Sequence, residues 1–278
     1  MTWWAIDVRT PPEGRDKLGA WLVARTGQAV EQRDDGTLVT FAPDEHAADE
    51  LIAEIGHAAG GFAPEASRRK IEPVDWSTRW REGLGSRSFG RLTVAPSWAP
   101  APVDSRRPIV VLDPETAFGS GEHGSTRVAL SLLERLVRPG DFVLDLGSGS
   151  GILALAAVKL GATRAVGIEN DPEANVVAAR NASRNGVEEA VEFLDGDAGD
   201  LAPLLGPADL VLSNIRRSAN TALLPAIARA LIAGGTAIFS GMEVAEAPLF
   251  LPALESAGFT VLEERTDTGW WGVAARRK

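Results

Sequence analysis

The chain has 278 residues, 45% of them apolar and 24% charged, with a formal net charge of −10, an ordinary globular composition long enough for two domains. It contains no cysteine, which excludes disulfides, thiolate metal sites and cysteine nucleophiles. Its three histidines, His46, His57 and His123, are too widely separated for a zinc site, so no metal is expected. No apolar run approaches the ~18 residues of a membrane span, no secretory leader is visible at the N-terminus, and the acidic balance argues against free DNA or RNA as the main partner. The expectation is a cytoplasmic protein whose acidity suits a basic protein partner. The oligomeric state is left open, a monomer being the simplest case.

Residues 1–62 predict a small α+β unit. Trp3-Trp4-Ala5-Ile6-Asp7-Val8 reads as a strand, and residues 14–25 have helical spacing at Leu18, Trp21 and Leu22. Residues 29–32 and 37–41 flank Asp34-Asp35-Gly36, a hairpin turn signal. Residues 47–59 predict a second helix with Leu51, Ile52 and Ile55 on its apolar side. The order β-α-β-β-α is most of a ferredoxin-like unit. Residues 63–108 read as a linker. Between 67 and 108 nine Lys and Arg stand against four Asp and Glu, a solvated face or a docking surface. Trp76 and Trp80 are four apart, on one face of a helix, as packing anchors or substrate contacts. Pro100, Pro102 and Pro108 follow.

Residues 109–278 alternate strands with helices. Ile109-Val110-Val111-Leu112 adds a strand ahead of the sheet proper. Val143-Leu144-Asp145-Leu146 reads as a buried strand, and Gly147-Ser148-Gly149-Ser150-Gly151 as a tight turn into a helix. Further strands are expected at 165–169, ending in Glu169, at 192–197, ending near Asp197, and at 208–215, ending in Asn214. Residues 235–241 follow, and 259–264 with 269–276 form a closing antiparallel pair. Each of four parallel strands thus delivers a polar residue to the edge where open parallel sheets bind ligands.

The glycine spacing is G-x-G-x-G, not the G-x-G-x-x-G of a dinucleotide fold. A dinucleotide loop presents helix N–H groups to a pyrophosphate. Here an acid, Asp145, stands two residues before the first glycine, which suits a ligand with an ammonium and no phosphate. Gly147, Gly149 and Gly151 would let the backbone approach it closely. The segment resembles the S-adenosylmethionine (SAM) fingerprint of class I methyltransferases. On that reading Glu169, followed by Asn170, takes the ribose hydroxyls, since a carboxylate accepts two O–H donors at once. Asp197 faces the adenine amine.

A second motif narrows the resemblance. Asp113-Pro114-Glu115-Thr116-Ala117-Phe118-Gly119-Ser120-Gly121-Glu122-His123-Gly124-Ser125-Thr126 resembles the D-P-x-x-A-F-G-T-G-x-H-x-T-T segment of the ribosomal protein L11 methyltransferase family (PrmA). The resemblance continues through the glycine loop, Gly167-Ile168-Glu169-Asn170-Asp171-Pro172 and Ser213-Asn214-Ile215. It implies a substrate-recognition domain (1–62), a linker (63–108) and a class I, Rossmann-like catalytic domain (109–278). It also implies methyl transfer from SAM to lysine ε-amines and the N-terminal α-amine of one ribosomal protein, leaving S-adenosylhomocysteine. By motif position Thr126, Gly147, Glu169 and Asn214 match the family's SAM contacts, and the loop of Phe118 and Gly119 closes over the ligand. Asn214 and the backbone at Ile215 would aim the acceptor amine, while His123 is either a base or a loop-ordering residue.

Three positions depart from the family pattern. Glu169 stands where Asp is usual, His123-Gly124-Ser125-Thr126 replaces H-P-T-T, and Asn214-Ile215-Arg216 replaces N-I-L. Arg216 keeps open a different protein, or a small amine or acid, as substrate. A non-catalytic SAM-binding module is the remaining alternative.

Overall fold

The computed structural model describes residues 3–27, 30–33, 35–58, 64–70, 85–99 and 107–278. They belong to two compact units, Met1–Arg79 and Trp80–Lys278. Trp76, Trp80, Pro100 and Pro102 lie outside the described residues, so the roles expected of them are not addressed.

The first unit runs β1 (Trp4–Arg9), α1 (Pro12–Thr26), β2 (Glu31–Gln32), β3 (Leu38–Ala42), α2 (Glu45–Ala58) and β4 (Glu65–Lys70). Its sheet has the order β2-β3-β1-β4 and is antiparallel throughout, the ferredoxin-like arrangement. α1 opens with a proline at its first position, where no N–H is missed. It stops at Gly27, whose φ of 67° continues the chain in the left-handed region. Alternate strand residues Ile6, Val8 and Leu38 pack against Leu18, Leu22, Leu51 and Ile55 of the helices.

The unit extends past residue 62, because β4 completes the sheet beside β1. Its sequence, Glu-Ala-Ser-Arg-Arg-Lys, shows no apolar alternation. Arg68 takes the place of an apolar residue. Its guanidinium lies 4.5 Å from the centre of the Trp4 ring and pairs with Glu45 at 2.8 Å and with Asp49, both on α2. A long cationic side chain thereby covers apolar surface while keeping its charge partnered.

The second unit opens with a three-stranded sheet of β5 (Arg87–Phe89), β6 (Leu92–Ala95) and β7 (Ile109–Val111). Residues 85–99 are therefore folded with this unit and do not act as free linker. Then come α3 (Gly124–Leu136), β8 (Phe142–Leu146), α4 (Ile152–Lys159), β9 (Arg164–Glu169), α5 (Pro172–Asn185), β10 (Val191–Asp195), α6 (Ala198–Leu205) and β11 (Ala208–Asn214). α7 (Arg217–Ala230), β12 (Leu231–Glu243), α8 (Ala247–Ser256), β13 (Phe259–Asp267) and β14 (Trp270–Arg277) complete it. The seven-stranded sheet has the order β10-β9-β8-β11-β12-β14-β13. The first five strands are parallel, and β14 is antiparallel to both its neighbours.

Because successive strand side chains alternate faces, the sheet separates two cores. Val143, Leu210, Leu212 and Ile238 meet α3 and α4. Leu144, Val211, Phe239 and Val273 meet α7 and α8 through Leu224, Ile227, Phe250 and Leu254. This is the expected doubly wound α/β fold. β10 ends at Asp195, two residues short of expectation, because Asp197 instead caps α6. The direction of winding reverses between β8 and β11, and a ligand crevice is expected at their C-terminal ends.

Candidate active site

The loop after β8 turns on three glycines in the left-handed region, Gly147 at φ 72°, Gly149 at 52° and Gly151 at 82°. Their neighbours are protein atoms. A Cβ on Gly147 would lie 2.6 Å from Ile215 Cγ2, and one on Gly149 2.6 Å from the Phe118 carbonyl oxygen. The lack of side chains thus serves the packing of three segments against one another as well as the approach of a ligand. The Ser150 N–H donates to the Phe118 carbonyl at 2.9 Å, and its hydroxyl donates to the Gly119 carbonyl at 2.6 Å. The glycine loop and the Phe118 segment therefore form one hydrogen-bonded layer.

A cavity of about 510 Å³ opens at this layer, within the size range of cofactor sites. Its wall includes Phe118, Gly147, Gly149, Glu169, Asn170, Asp197, Asn214 and Ile215, eight of the positions singled out in the sequence. It also includes Ile168, Ala198, Arg216 and the Ala219, Ala222 and Leu223 face of α7. The α7 contribution has no motif and follows only from the way that helix covers the strand ends.

Glu169 is already engaged. One carboxylate oxygen accepts from the Gly149 N–H at 3.0 Å, and the other from the N–H groups of Asn170 and Asp171 at 2.9 and 3.2 Å. A carboxylate has about four acceptor sites, so capacity remains for one further donor without rearrangement. Asp197 accepts from the Gly199 N–H at 2.6 Å and caps α6.

Asn214 ends β11. Its amide nitrogen donates to the Thr126 hydroxyl on α3 at 3.3 Å, joining residues 88 positions apart. Its Oδ1 is buried and has no hydrogen-bond partner among the described residues. The Ile215 carbonyl accepts from the Asn220 amide at 2.9 Å, and that amide also donates to the Ser240 carbonyl. Thr126 is fully buried and reaches the cavity only through Asn214.

Asp145, Gly151 and Gly119 do not line this cavity. Asp145 lies beneath the loop. One of its oxygens accepts from the Ala154 N–H of α4 at 3.0 Å, and the other is buried without a partner among the described residues. Burial pushes its carboxyl up to about 7, against the Ala154 hydrogen bond and with the help of the nearby Glu169 charge. Gly119 borders a second cavity, also of about 510 Å³, with Glu115, Glu122 and His123. Phe118 is common to both cavities.

His123 is set among aromatic rings, its centroid 4.3 Å from Trp270 and 5.3 Å from Phe118, with Nδ1 2.7 Å from the Ser125 hydroxyl. Burial, and secondarily the Arg127 charge, hold its pKa below the usual imidazole value. Arg127 grips both oxygens of Asp267 at 2.6 and 3.0 Å and the Thr268 hydroxyl at 2.8 Å, and donates to the Glu122 carbonyl. This fastens the segment carrying Phe118 to the β13–β14 turn.

Two residues absent from the sequence reading hold the site together. Asn181 donates to the carbonyls of Asp113 and Ser150 at 3.1 and 3.0 Å and accepts from the Asp113 N–H at 3.1 Å. Asn185, one turn on, exchanges two hydrogen bonds with the Val111 backbone. Paired asparagines four apart on α5 were the available signal.

The wall fits the ligand expected from the sequence. Asn214 stands in the wall with its Oδ1 unpartnered among the described residues, Glu169 retains capacity for a hydroxyl, and Phe118, Ile168, Ala198 and Leu223 offer apolar surface to an aromatic base.

Residues 15–278 match the family model described as ribosomal protein L11 methyltransferase (PrmA). The chain is similar to the ribosomal protein L11 methyltransferase of Pelotomaculum thermopropionicum, with 36% identity across 100% of both chains. It is 41% identical to that of Thermus thermophilus over 72% of this chain and 77% of the relative. Among solved structures it resembles the ribosomal protein L11 methylase of Lactobacillus delbrueckii subsp. bulgaricus, with a TM-score of 0.64 and 32% identity, covering 70% of this chain and 99% of that one.

Proposed function

The chain belongs to the ribosomal protein L11 methyltransferase (PrmA) family of SAM-dependent methyltransferases, and on that premise we propose that it methylates amine nitrogens of ribosomal protein L11, lysine ε-amines and the N-terminal α-amine among them. The observation that carries this reading is the buried, unpartnered Oδ1 of Asn214, held in the cavity wall by Thr126.

SAM, when bound, supplies a methyl group on a sulfonium centre, an electrophile that needs only an aligned nucleophile. Glu169 would take one ribose hydroxyl on its remaining acceptor site, Phe118 would cover the ligand, and Asp197 with the apolar wall beside Leu223 would receive the adenine. The acceptor must be a neutral amine, yet a free lysine with a pKa near ~10.4 is neutral in only about one molecule in 10³ near pH 7. Enclosure beside Phe118 and Ile215 removes water from the ammonium and favours its neutral form. Asn214 Oδ1 then accepts an amine N–H, and the Ile215 carbonyl, with Asn220 on one lone pair, offers a second acceptor. Two such contacts aim the remaining lone pair, so positioning supplies much of the rate. Shielded by Trp270 and bonded to Ser125, His123 orders the Phe118 segment in this scheme and does not act as the base.

The small unit would recognise the basic ribosomal protein, and the activity belongs in the cytoplasm, where ribosomes are. No described helix is long and apolar enough to cross a membrane.

The test is incubation with SAM carrying a radiolabelled methyl group and ribosomal proteins from the same source, with label mapped by mass spectrometry. Label on amines of L11 is expected. Label confined to other proteins, or to oxygen or carbon atoms, would overturn the substrate assignment.

A further inference from the structure

Of the described residues lining the 510 Å³ cavity, Arg216 is the one cation. Its neighbour Arg217 pairs with Glu246 at 3.1 Å, whereas the Arg216 guanidinium makes no ion pair or hydrogen bond among the described residues. The two carboxylates in the same wall are turned elsewhere. Glu169 serves the Gly149, Asn170 and Asp171 N–H groups, and Asp197 serves the Gly199 N–H. The first turn of α7 carries no acid to answer the charge.

The root of the side chain is fixed, while its end meets no partner among the described residues. The Ile215 carbonyl is bonded by Asn220. The Ile215 backbone also presses so closely on Gly241, at φ 82°, that any Cβ there would overlap it. Arg216 therefore leaves a rigid corner one residue past Ile215, two past Asn214, and lines the cavity while remaining exposed.

A lone guanidinium beside the place where a sulfonium and an alkylamine must meet repels both reactants while each is charged. That arrangement is consistent with a reactant that brings an anion of its own. We propose that Arg216 is a carboxylate clamp, seating a carboxylate of one of the two reactants by the paired N–H geometry that a guanidinium offers and a lysine does not. The inference rests on the methyl-transfer reading. The carboxylate belongs either to the amino-acid end of SAM or to an acidic side chain adjoining the acceptor amine, and the same variants separate the two.

The experiment is titration calorimetry of SAM, S-adenosylhomocysteine and decarboxylated SAM with the full-length protein and with Arg216→Leu and Arg216→Lys. Methylation kinetics are run in parallel on lysine peptides bearing either Glu or Gln beside the acceptor. If SAM supplies the carboxylate, Arg216→Leu weakens SAM and S-adenosylhomocysteine by about tenfold or more and leaves decarboxylated SAM unchanged. If the acceptor supplies it, donor affinity is unchanged and KM rises by a similar factor for the Glu peptide alone. In either case Arg216→Lys retains part of the effect, and the loss shrinks as salt is raised.

Changes within twofold in every titration and both peptides would overturn the clamp. Melting curves of the variants guard against a folding effect. An unmodified protein that leaves L11 unlabelled yet binds SAM would sink the parent reading, while the donor titrations still decide the clamp. Failure of the unmodified protein to bind either adenosyl compound would end both.

Discussion

Asn214 and Asp145 each hold one buried oxygen without a partner, with different consequences. If, as proposed, the Asn214 oxygen takes the acceptor amine, Asn214→Ala should lower kcat by about 10²-fold while SAM affinity changes by less than about threefold; equal losses in calorimetry and turnover would remove the amine-aiming role. At Asp145 the oxygen lies beneath the loop, and burial raises the carboxyl to about 7. The native chain therefore keeps a proton that the unfolded chain releases near ~3.9. Native protein binds more protons across that window, so this group's contribution is greatest in acid and is lost as pH rises through about 7. Asp145→Asn should accordingly raise Tm by a few degrees at pH 8 and by less at pH 5. A lower Tm at pH 8 would show that the carboxylate is not strained there. Glu169 and Asn214 stand out in the sequence because each closes a largely apolar strand, whereas Asp197 lies two residues past its strand, after Asp195. Asn181 does not stand out, since a polar residue on a helix reads as a solvated face until the helix is seen packed.

The same limit applies to elements. Strands with near-continuous apolar sequence, such as β8 and β11, are recognisable because parallel strands are buried on both faces. β4 is disguised by its arginines, and β6 pairs with β7 across residues 96–108, a contact that no local pattern encodes. α5 is the element whose sequence most understates its work. Its Asn181 ties β7's continuation to the glycine loop through fully buried hydrogen bonds. Asn181→Ala leaves several buried backbone groups unsatisfied, and a loss of about 3 kcal/mol is expected. This should appear as a Tm lower by roughly 6–12 °C together with weaker SAM binding. An unchanged melting curve would mean that the Asn181 hydrogen bonds are dispensable.

For the molecule as a whole, the glycine spacing and the A-F-G-x-G-x-H segment made the class of the larger unit readable. The ends of the two units are not marked in the sequence, because β4 and β5 do not look like strands. Each unit has its own core: Ile6, Leu22 and Ile55 in the first, and the two layers around the seven-stranded sheet in the second. A chain of residues 80–278 should therefore bind SAM within a few-fold of the intact protein yet methylate whole L11 far more slowly. Retention of full activity on L11 would remove the recognition role of the small unit. The hydrogen bonds from Ser150 to the Phe118 and Gly119 carbonyls bear on pharmacology. Phe118 borders two cavities, and the loop beneath it is the one that would hold SAM. A compound lodged in the second cavity, beside Phe118 and His123, that alters SAM affinity would have its own affinity altered by SAM by the same factor. Such an inhibitor would not compete with SAM for space, and its potency would track how much of the enzyme is charged with methyl donor.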